Sequence, residues 1–448
     1  MRKIFLYLLL ICTPLFVVAA PKKDAASGQT KEITMTTTQA MKLAGDLVER
    51  GDYNTAQAIL TKTPPMNNGA LEIERWFLLG QIAQKQGDYE TAIKIYRKIL
   101  DQQPDLARIR FELATCYMQT GRWYRADHHL RLAMAGKDLP ETARNLMNYY
   151  RYIVRQNKRW NVWFNFGAAP DNNINNASGG QECVNTIFGM FCRDLTEPVS
   201  AVGYNMSLGG NYEFLLSEQW RWKSDANIYA NVYNHHDFDD LYISASTGPR
   251  FIWNRGDIWV AGLVARRLYG WHGYNWSAGA RTELNYDFTR RLSGGMGLRL
   301  TRNMYDKYGL FLNGETYSSN LRLTYSFNAS VYLNLRTSLI RETTANPTYS
   351  YWQPGVAVGI GAELPFGFHI YCEPSFYWSK YDKEQWIAGE YLTANDFMQR
   401  YAVSVSNNKV SIMGFVPTLV FSYTRRNSNI WQREYDKFSV EFTMQQRF

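Results

Sequence analysis

The chain has 448 residues, of which 46% are hydrophobic and 15% aromatic, enough for two or three domains with sizeable cores. Its formal net charge of +9 is uneven: residues 20–159 carry 22 Lys and Arg against 15 Asp and Glu, whereas residues 160–448 carry 25 of each kind. After the N-terminal segment no apolar run is as long as a membrane-spanning helix, so any crossing of a membrane has to use β-strands.

The N terminus, MRKIFLYLLLICTPLFVVAA, has a short basic start, an apolar core and small residues at its end. This pattern predicts a secretory signal peptide over residues 1–19, cleaved after Ala19. A membrane anchor is the alternative, but Pro14 interrupts a run that is already short for spanning. Residues 20–40 are small and polar and predict a flexible linker.

Residues 41–159 carry a repeated phrase, which reads GDYNTA at 51–56, GDYETA at 87–92 and more loosely GRWYRA at 121–126. Spacings of 36 and 34 residues, with apolar residues at helical positions between them, are typical of tetratricopeptide repeats, which are stacked helical pairs. We therefore predict a repeat domain over residues 41–159. An ordinary helical bundle explains the apolar spacing but not the copied turn.

A stack of such repeats has a concave face that suits an extended segment or a helix of another protein. Basic side chains gather in its second half, and a solvated face explains them as well as an acidic partner does. The partner hypothesis gives a client-binding surface formed by Arg108, Arg110, Tyr117, Arg122, Arg125 and Arg131. Nucleic acid is an unsuitable partner because the chain is predicted to be exported.

From Trp160 onward the apolar pattern alternates with a period of two, as in AVGYNMSLGGNYEFL from residue 201 and SVYLNLRTSL from residue 330. We count about fourteen strands, at roughly twenty residues per strand and turn, as spanning strands require. Short turns alternate with longer connections such as 169–199 and 381–397, which is how outer-membrane barrels are built. The sequence predicts an antiparallel transmembrane β-barrel over residues 160–448, with the repeat domain in the periplasm.

Two cysteines, Cys183 and Cys192, lie in the longest of the predicted outward loops. In an oxidising compartment such a pair favours a disulfide over two free surface thiols. We predict a disulfide between them.

The best candidate for catalysis is NHHDFDD at residues 234–240, with two His and three Asp. Such a group can bind a metal or supply an acid–base pair, but polar clusters are ordinary in an outward loop. The sequence has no Gly-rich phosphate loop, no metalloprotease His-Glu pair and no nucleophile elbow. We therefore expect neither an enzyme nor a cofactor or metal site.

The segment WNVWFNFGAAPDNNINNAS, residues 160–178, stands between a repeat domain and a barrel and resembles the hallmark of the surface lipoprotein assembly modulator (Slam) family. Members of that family have a signal peptide, periplasmic tetratricopeptide repeats and a fourteen-stranded barrel, so the resemblance covers essentially the whole chain. Asn172 stands where the family often has Ser. The residues that match this junction motif are Gly167, Pro170, Asp171, Asn172, Asn173, Ile174 and Asn175.

The resemblance implies a translocon of the Gram-negative outer membrane that delivers surface lipoproteins or related secreted proteins. Its expected partners are the client protein, periplasmic chaperones, the barrel-assembly machinery and outer-membrane lipid. A polar lumen suits unpaired client backbone, and the residues expected to line it are Asn205, Arg299, Arg322, Arg336 and Ser338. Two alternatives stay open: an exopolysaccharide export porin, which would need a ring of like charges in its lumen, and an outer-membrane hydrolase.

Overall fold

The computed structural model describes residues 35–64, 69–136, 139–179, 181–186, 189–194, 196–387, 390–407, 409–410 and 415–447. The predicted signal peptide and most of the predicted linker lie outside these residues. Seven helices come first: Thr37–Arg50 (α1), Tyr53–Lys62 (α2), Gly69–Lys85 (α3), Tyr89–Leu100 (α4), Ala107–Gln119 (α5), Trp123–Met134 (α6) and Glu141–Asn157 (α7). The α1 helix begins inside the segment predicted as linker. Of the described helices, none has the length and apolar character needed to cross a membrane.

The repeated phrase forms the turn inside each helical pair. Gly51, Gly87 and Gly121 have φ angles of 83°, 83° and 73°, a left-handed conformation that a Cβ atom opposes. Asp52 and Asp88 then cap the following helices by accepting hydrogen bonds of 3.2 and 3.1 Å from backbone N–H groups three residues on. The copied letters therefore encode one turn geometry that is used three times.

Small residues allow the paired helices to pack closely. A Cβ atom added at Gly80 would lie 2.6 Å from the ring of Tyr96, which is itself fully buried. The alanines that occupy equivalent interior positions are Ala44, Ala56, Ala92, Ala114 and Ala126, all 0% exposed. The helical repeat region predicted from the sequence is confirmed.

The described chain continues through sixteen strands: Trp160–Asp171 (β1), Gln181–Thr186 (β2), Gly189–Asp194 (β3), Ala201–Leu215 (β4), Trp220–Tyr233 (β5), Asp240–Trp253 (β6), Gly256–Tyr269 (β7), His272–Asp287 (β8), Leu292–Tyr305 (β9), Gly314–Ser326 (β10), Val331–Thr344 (β11), Tyr351–Glu363 (β12), Phe368–Ile387 (β13), Glu390–Asn407 (β14), Val416–Ser428 (β15) and Tyr435–Arg447 (β16). A short helix, Gly309–Leu312 (α8), lies between β9 and β10.

Fourteen of these strands close an antiparallel barrel, in which β1 pairs with β4 on one side and with β16 on the other. The β2 and β3 strands form a separate ribbon. The predicted fourteen-stranded barrel is confirmed. We call the rim that contacts the helical domain the near rim and the opposite one the far rim.

One predicted connection is wrong. Residues 381–397 were expected to form a loop, but β13 continues to Ile387 and β14 begins at Glu390, and the two strands pair there with a register irregularity between Lys380 and Glu384. Charged residues (Asp382, Lys383, Glu384 and Glu390) stand there beside exposed Trp386 and Tyr391, so alternation between apolar and polar residues no longer marks the strands.

The outward face of the barrel is apolar. Along β4, Val202, Tyr204, Met206 and Leu208 are 44–49% exposed, although they alternate with polar or small inward residues. Such a belt is suited to contact with acyl chains rather than water.

Candidate functional site

The helical domain is docked on the near rim through a buried ion pair. The Arg110 side chain on α5 is 0% exposed, and its Nη2 lies 2.6 Å from Oε2 of Glu363 at the end of β12. His128 Nε2 lies 3.1 Å from the other oxygen of Glu363. Arg110 Nε also donates to the carbonyl oxygen of Pro104 at 2.9 Å. Since a buried charge is tolerated only when it is paired and hydrogen-bonded, this contact, which we call the rim latch, fixes the two parts of the chain together.

A second group of contacts joins α7 to the near rim. Asp287, at the end of β8, pairs with Arg151 Nη1 at 2.8 Å and also with Arg155. Arg155 Nη1 donates to the carbonyl oxygen of Asn254 at 2.6 Å, in the turn between β6 and β7. The helical domain therefore contacts the rim at several separate turns, and its cations bind carboxylates at strand ends.

Charged side chains of α6, of α7 and of the residue that follows α7 form a cluster around Asp127. Lys158 Nζ, Arg151 Nε and Arg131 Nε lie 3.2, 3.5 and 3.7 Å from its carboxylate oxygens. Burial by itself would raise the pKa of Asp127, but the surrounding cations, led by Lys158, hold that pKa well below its ordinary value of 3.8.

This depressed pKa predicts a pH dependence of the stability of the helical domain. Because the unfolded chain binds the proton more readily, the contribution of Asp127 is fully present above about pH 3.8 and is lost as the pH falls further through the folded-state pKa. We expect Asp127→Asn to lower the thermal unfolding temperature at pH 7 and to flatten its decline between pH 5 and acid conditions. Circular dichroism melts measure both; Asp46→Asn, at an exposed position on α1, is the control, and a variant curve parallel to the wild type would contradict the assignment.

The six residues predicted to bind a client have different environments. Arg110 is buried in the rim latch and Tyr117 is 2% exposed, so neither is available to a partner in this arrangement. Arg131 contributes to the cluster around Asp127. Exposed Arg108 pairs with Glu112 at 2.8 Å. The remaining two lie at the surface or beside it: Arg122 pairs with Glu90 at 2.6 Å and Arg125 lies 5.9 Å from the Tyr117 ring centre. Contact of Arg108, Arg122, Arg125 and Arg131 with a client stays a prediction.

The five residues predicted for the lumen lie on the inner face of the barrel. Arg299 on β9 donates to Tyr242 Oη on β6 at 2.8 Å, across two intervening strands, which only the concave face permits. Arg336 pairs with Glu373, two strands away. Arg322, Asn205 and Ser338 have the same inward parity on their strands. A cavity of about 520 Å³ runs along this wall and includes Arg299 in its lining.

The junction motif fastens the barrel where its first and last strands meet, which we call the seam. Asn173 is 2% exposed; its Nδ2 donates to the carbonyl oxygens of Ala177 at 2.9 Å and Asp436 at 3.4 Å, and its Oδ1 accepts from the N–H of Ala177. Asp171 Oδ2 lies 3.1 Å from Lys437 Nζ. Asn172 Oδ1 accepts from the N–H of Phe438 at 3.0 Å. These side chains tie the end of β1 to the beginning of β16, and we call them the far-rim clasp.

Other residues of the junction motif shape the pairing of β1 with β16 and hold the segment that leads into β4. The pairing between β1 and β16 is interrupted between Ala168 and Asp171, where Pro170 has no N–H to donate. A Cβ atom at Gly167 would lie 2.6 Å from the carbonyl oxygen of Phe442, so this close approach requires Gly. Asn175 accepts from the N–H of Val199 at 2.9 Å, which fastens the chain that leads into β4. Ile174 is 9% exposed, and its N–H donates to the carbonyl oxygen of Val199 at 2.9 Å.

The disulfide between Cys183 and Cys192 remains a prediction, and the backbone geometry of the two residues is compatible with it. Cys183 on β2 stands directly opposite Cys192 on β3. Directly opposed residues of an antiparallel pair have Cα atoms about 4.5–5.5 Å apart, within the span of a disulfide. We expect non-reducing proteolysis and mass spectrometry of the exported protein to recover the peptides of Cys183 and Cys192 joined. Their recovery as separate alkylated peptides without reductant would contradict it.

The His and Asp cluster at 234–240 organises a loop. Asp239 is 3% exposed; it accepts from Trp271 Nε1 at 2.6 Å and from the N–H of Tyr233 at 2.7 Å, and it contacts His236 Nδ1 at 2.9 Å. Its carboxylate is thus engaged in holding the turn. In the part of the chain that the structure describes, no group of three or more His, Cys, Asp or Glu side chains is placed to hold a metal ion.

Sequence reasoning missed the acids that pair with the cations of the helical domain. Glu363, Asp287 and Asp127 are single carboxylates in stretches of mixed charge, and no local pattern distinguishes them. The available signal was the excess of basic residues before Trp160, which indicates that acids elsewhere must neutralise them.

Comparison with known proteins identifies the family of this chain. The family model described as "Surface lipoprotein assembly modifier" matches residues 160–448, and a second, for the N-terminal TPR repeats of the same family, matches residues 70–130. A surface lipoprotein assembly modifier of Pasteurella multocida is 22% identical over 390 residues, which cover 82% of this chain and 75% of the relative. One of Moraxella catarrhalis is 24% identical over 369 residues, covering 81% and 71%.

Among solved structures, the outer-membrane channel DcaP of Acinetobacter baumannii matches with a TM-score of 0.38 and 7% identity, over 64% of this chain and 97% of that one. The match of the family model to the entire barrel settles the assignment. The chain belongs to the surface lipoprotein assembly modifier family and is an outer-membrane β-barrel protein with N-terminal tetratricopeptide repeats.

Proposed function

We propose that this protein is a translocon that delivers client proteins, surface lipoproteins or related secreted proteins, across the outer membrane. The observation that carries the proposal is the position of the repeat domain, which is docked by the rim latch on the near, periplasmic rim of a barrel with a polar inner wall. A client bound to the repeats is thereby held at the entrance of the barrel.

The charges of the inner wall favour a polypeptide client over the polysaccharide alternative. Arg250 pairs with Glu213 at 2.6 Å, and Arg281 pairs with Asp225 at 3.2 Å. Arg336 pairs with Glu373. In the described strands these cations are paired with acids and do not stand in the ring of like charges that an anionic or cationic polymer would require, whereas a polypeptide of mixed composition needs hydrogen-bonding groups.

The repeat domain supplies the selective step in this proposal. Arg108 and Arg122 remain at the surface of the docked domain, with 68% and 38% of their side chains exposed, where an acidic client segment can reach them. Folding of the client outside the cell is the expected source of net transport, because no nucleotide is consumed in the periplasm.

The test uses a lipoprotein from the same genome with a C-terminal epitope tag, produced with or without this chain in a Gram-negative host. We expect added protease to remove the tag from intact cells only when the translocon is present. A soluble periplasmic protein must stay intact in both strains, which excludes leakage of the outer membrane. Equal loss of the tag with and without the chain would overturn the proposal.

A further inference from the structure

Six asparagines form a stripe on the inner wall, on three neighbouring strands next to the seam. The residues that alternate with them, such as Val162, Met206 and Ile228, are 38–44% exposed on the outer face, so the asparagines point inward. We call this set the amide stripe; it consists of Asn161 and Asn165 on β1, Asn205 and Asn211 on β4, and Asn227 and Asn231 on β5.

The pairing of the strands makes the stripe continuous. Asn161 stands opposite Asn211, which stands opposite Asp225. Further up the wall Gly209 stands opposite Asn227, then Asn165 opposite Ser207, and, three inward positions from Asn211, Asn205 opposite Asn231. Between them the Trp163 ring packs over Gly209, where a Cβ atom would lie 2.4 Å from the ring and 2.5 Å from Asn227 Oδ1. The stripe therefore runs along the barrel axis, with the Trp163 ring lying across its middle.

Several polar atoms of this wall are buried without a partner among the described residues. Asn211 Nδ2 and Asp225 Oδ1 both belong to the lining of the 520 Å³ cavity, and the Asp225 side chain is only 9% exposed. Asn161 Oδ1 and Asn165 Oδ1 are likewise unpaired. Folded proteins rarely leave such atoms unsatisfied, so water or a guest that offers both donors and acceptors has to complete them.

An extended main chain offers the hydrogen-bond donors and acceptors that the unpaired atoms of this wall lack. It presents unpaired N–H and C=O groups, and an Asn side chain offers one acceptor and two donor hydrogens to them. Inward residues of a strand recur every two positions, about 6.7 Å, which is also the repeat of an extended guest strand. Because the amides are neutral, they bind main chain without selecting the charge of the guest's side chains.

We propose that the amide stripe is the polypeptide-binding track of the barrel, which hydrogen-bonds to the main chain of an extended client during passage. This inference rests on the proposed function and names the route that the client takes. It places the client against β1, β4 and β5, beside the seam, and not against the opposite wall, where Asn334 is already satisfied by Thr324 at 2.7 Å.

The test introduces a photo-crosslinking amino acid, p-benzoylphenylalanine, at single positions of this barrel. Cells that are exporting the tagged lipoprotein to their surface are then irradiated. Asn205 and Asn227 are the inward test positions, and their neighbours Tyr204 and Ile228 are matched outward controls. Asn334 is an inward control on the other wall. We expect protease-sensitive adducts carrying the epitope tag from Asn205 and Asn227 and none above background from the three controls.

A second test removes hydrogen-bonding side chains of the amide stripe by substitution. We expect the triple variant Asn211→Leu, Asn227→Leu, Asn231→Leu to lower surface display about tenfold, the factor that corresponds to the loss of one hydrogen bond of upper-range strength. The control is Thr324→Leu with Asn334→Leu, which removes both partners of a satisfied pair. Tyr371 Oη then loses the bond from Asn334 Nδ2 but keeps its bond to Glu373, so this variant should display normally. Heat-modifiable migration of each variant checks that its barrel is assembled.

The outcomes separate this inference from the proposed function. Suppose that the wild type displays the lipoprotein but Asn334 gives as many adducts as Asn227, or that the triple variant also displays it normally. Either result overturns the amide stripe as the binding track and leaves the proposed translocon function standing. Adducts that resist protease, as a glycan would, also overturn the track. Failure of the wild type to display the lipoprotein overturns both proposals.

Discussion

Replacing Glu363 with Gln is expected to release the helical domain from the periplasmic rim. The Arg110 guanidinium is 0% exposed and its Nη2 lies 2.6 Å from Glu363, so the variant leaves a buried cation without its counter-charge. Breaking one partner of a buried pair costs about 3–5 kcal/mol, enough to shift docking by more than two orders of magnitude.

Limited trypsin digestion in detergent measures this release. Arg155 and Lys158 are 11% and 17% exposed at the end of α7, next to the start of the barrel, and undocking makes them accessible to the protease. We expect the Glu363→Gln variant to lose its helical domain far faster than the wild type. Cleavage of both proteins at the same rate would show that the rim latch does not hold the domain.

Two further variants isolate the cause. Glu90→Gln breaks the exposed pair with Arg122, whose side chains are 55% and 38% exposed, and should be as resistant as the wild type because exposed pairs contribute only about 0–1 kcal/mol. Arg110→Met combined with Glu363→Leu removes both charges. Since apolar replacement of a complete buried pair is often neutral or stabilising, this double variant should recover much of the resistance.

The elements of this protein could be predicted because each is encoded locally. Gly51, Gly87 and Gly121 mark turns that need positive φ, and the alternation along β4 follows directly from the pleat of a strand. The one misplaced connection, 381–397, lies where the side chains of β13 and β14 are no longer sorted into apolar and polar faces.

The contacts between elements were beyond the reach of the sequence. Arg110 and Glu363 are 253 residues apart, and nothing near either residue indicates that it is buried against the other. The junction motif was visible through its resemblance to a family, but its partners Asp436, Lys437 and Phe438 are 263–266 residues further along the chain. Such pairings are set by closure of the barrel, which brings the first and last strands together.

Asn173→Ala is expected to weaken the barrel at its seam. The change removes the Nδ2 donor to Ala177 and Asp436 and the Oδ1 acceptor for the N–H of Ala177, in a residue that is 2% exposed. Because each buried group left unsatisfied costs roughly 1–3 kcal/mol, we expect a loss of about 2–4 kcal/mol in the free energy of unfolding.

Urea unfolding of the barrel in lipid vesicles, followed by tryptophan fluorescence, measures this loss as a lower midpoint at unchanged slope. Ser178→Ala, in the same loop, is the matched control and should change the free energy of unfolding by less than about 0.5 kcal/mol. Asn173→Asp keeps the acceptor but turns a carboxylate oxygen toward the carbonyl oxygens of Ala177 and Asp436, so its midpoint should fall at least as far as that of the Ala variant. If Asn173→Ala and Ser178→Ala unfold at the same urea concentration, the far-rim clasp does not fasten the first strand to the last, and the motif must act on something outside the barrel.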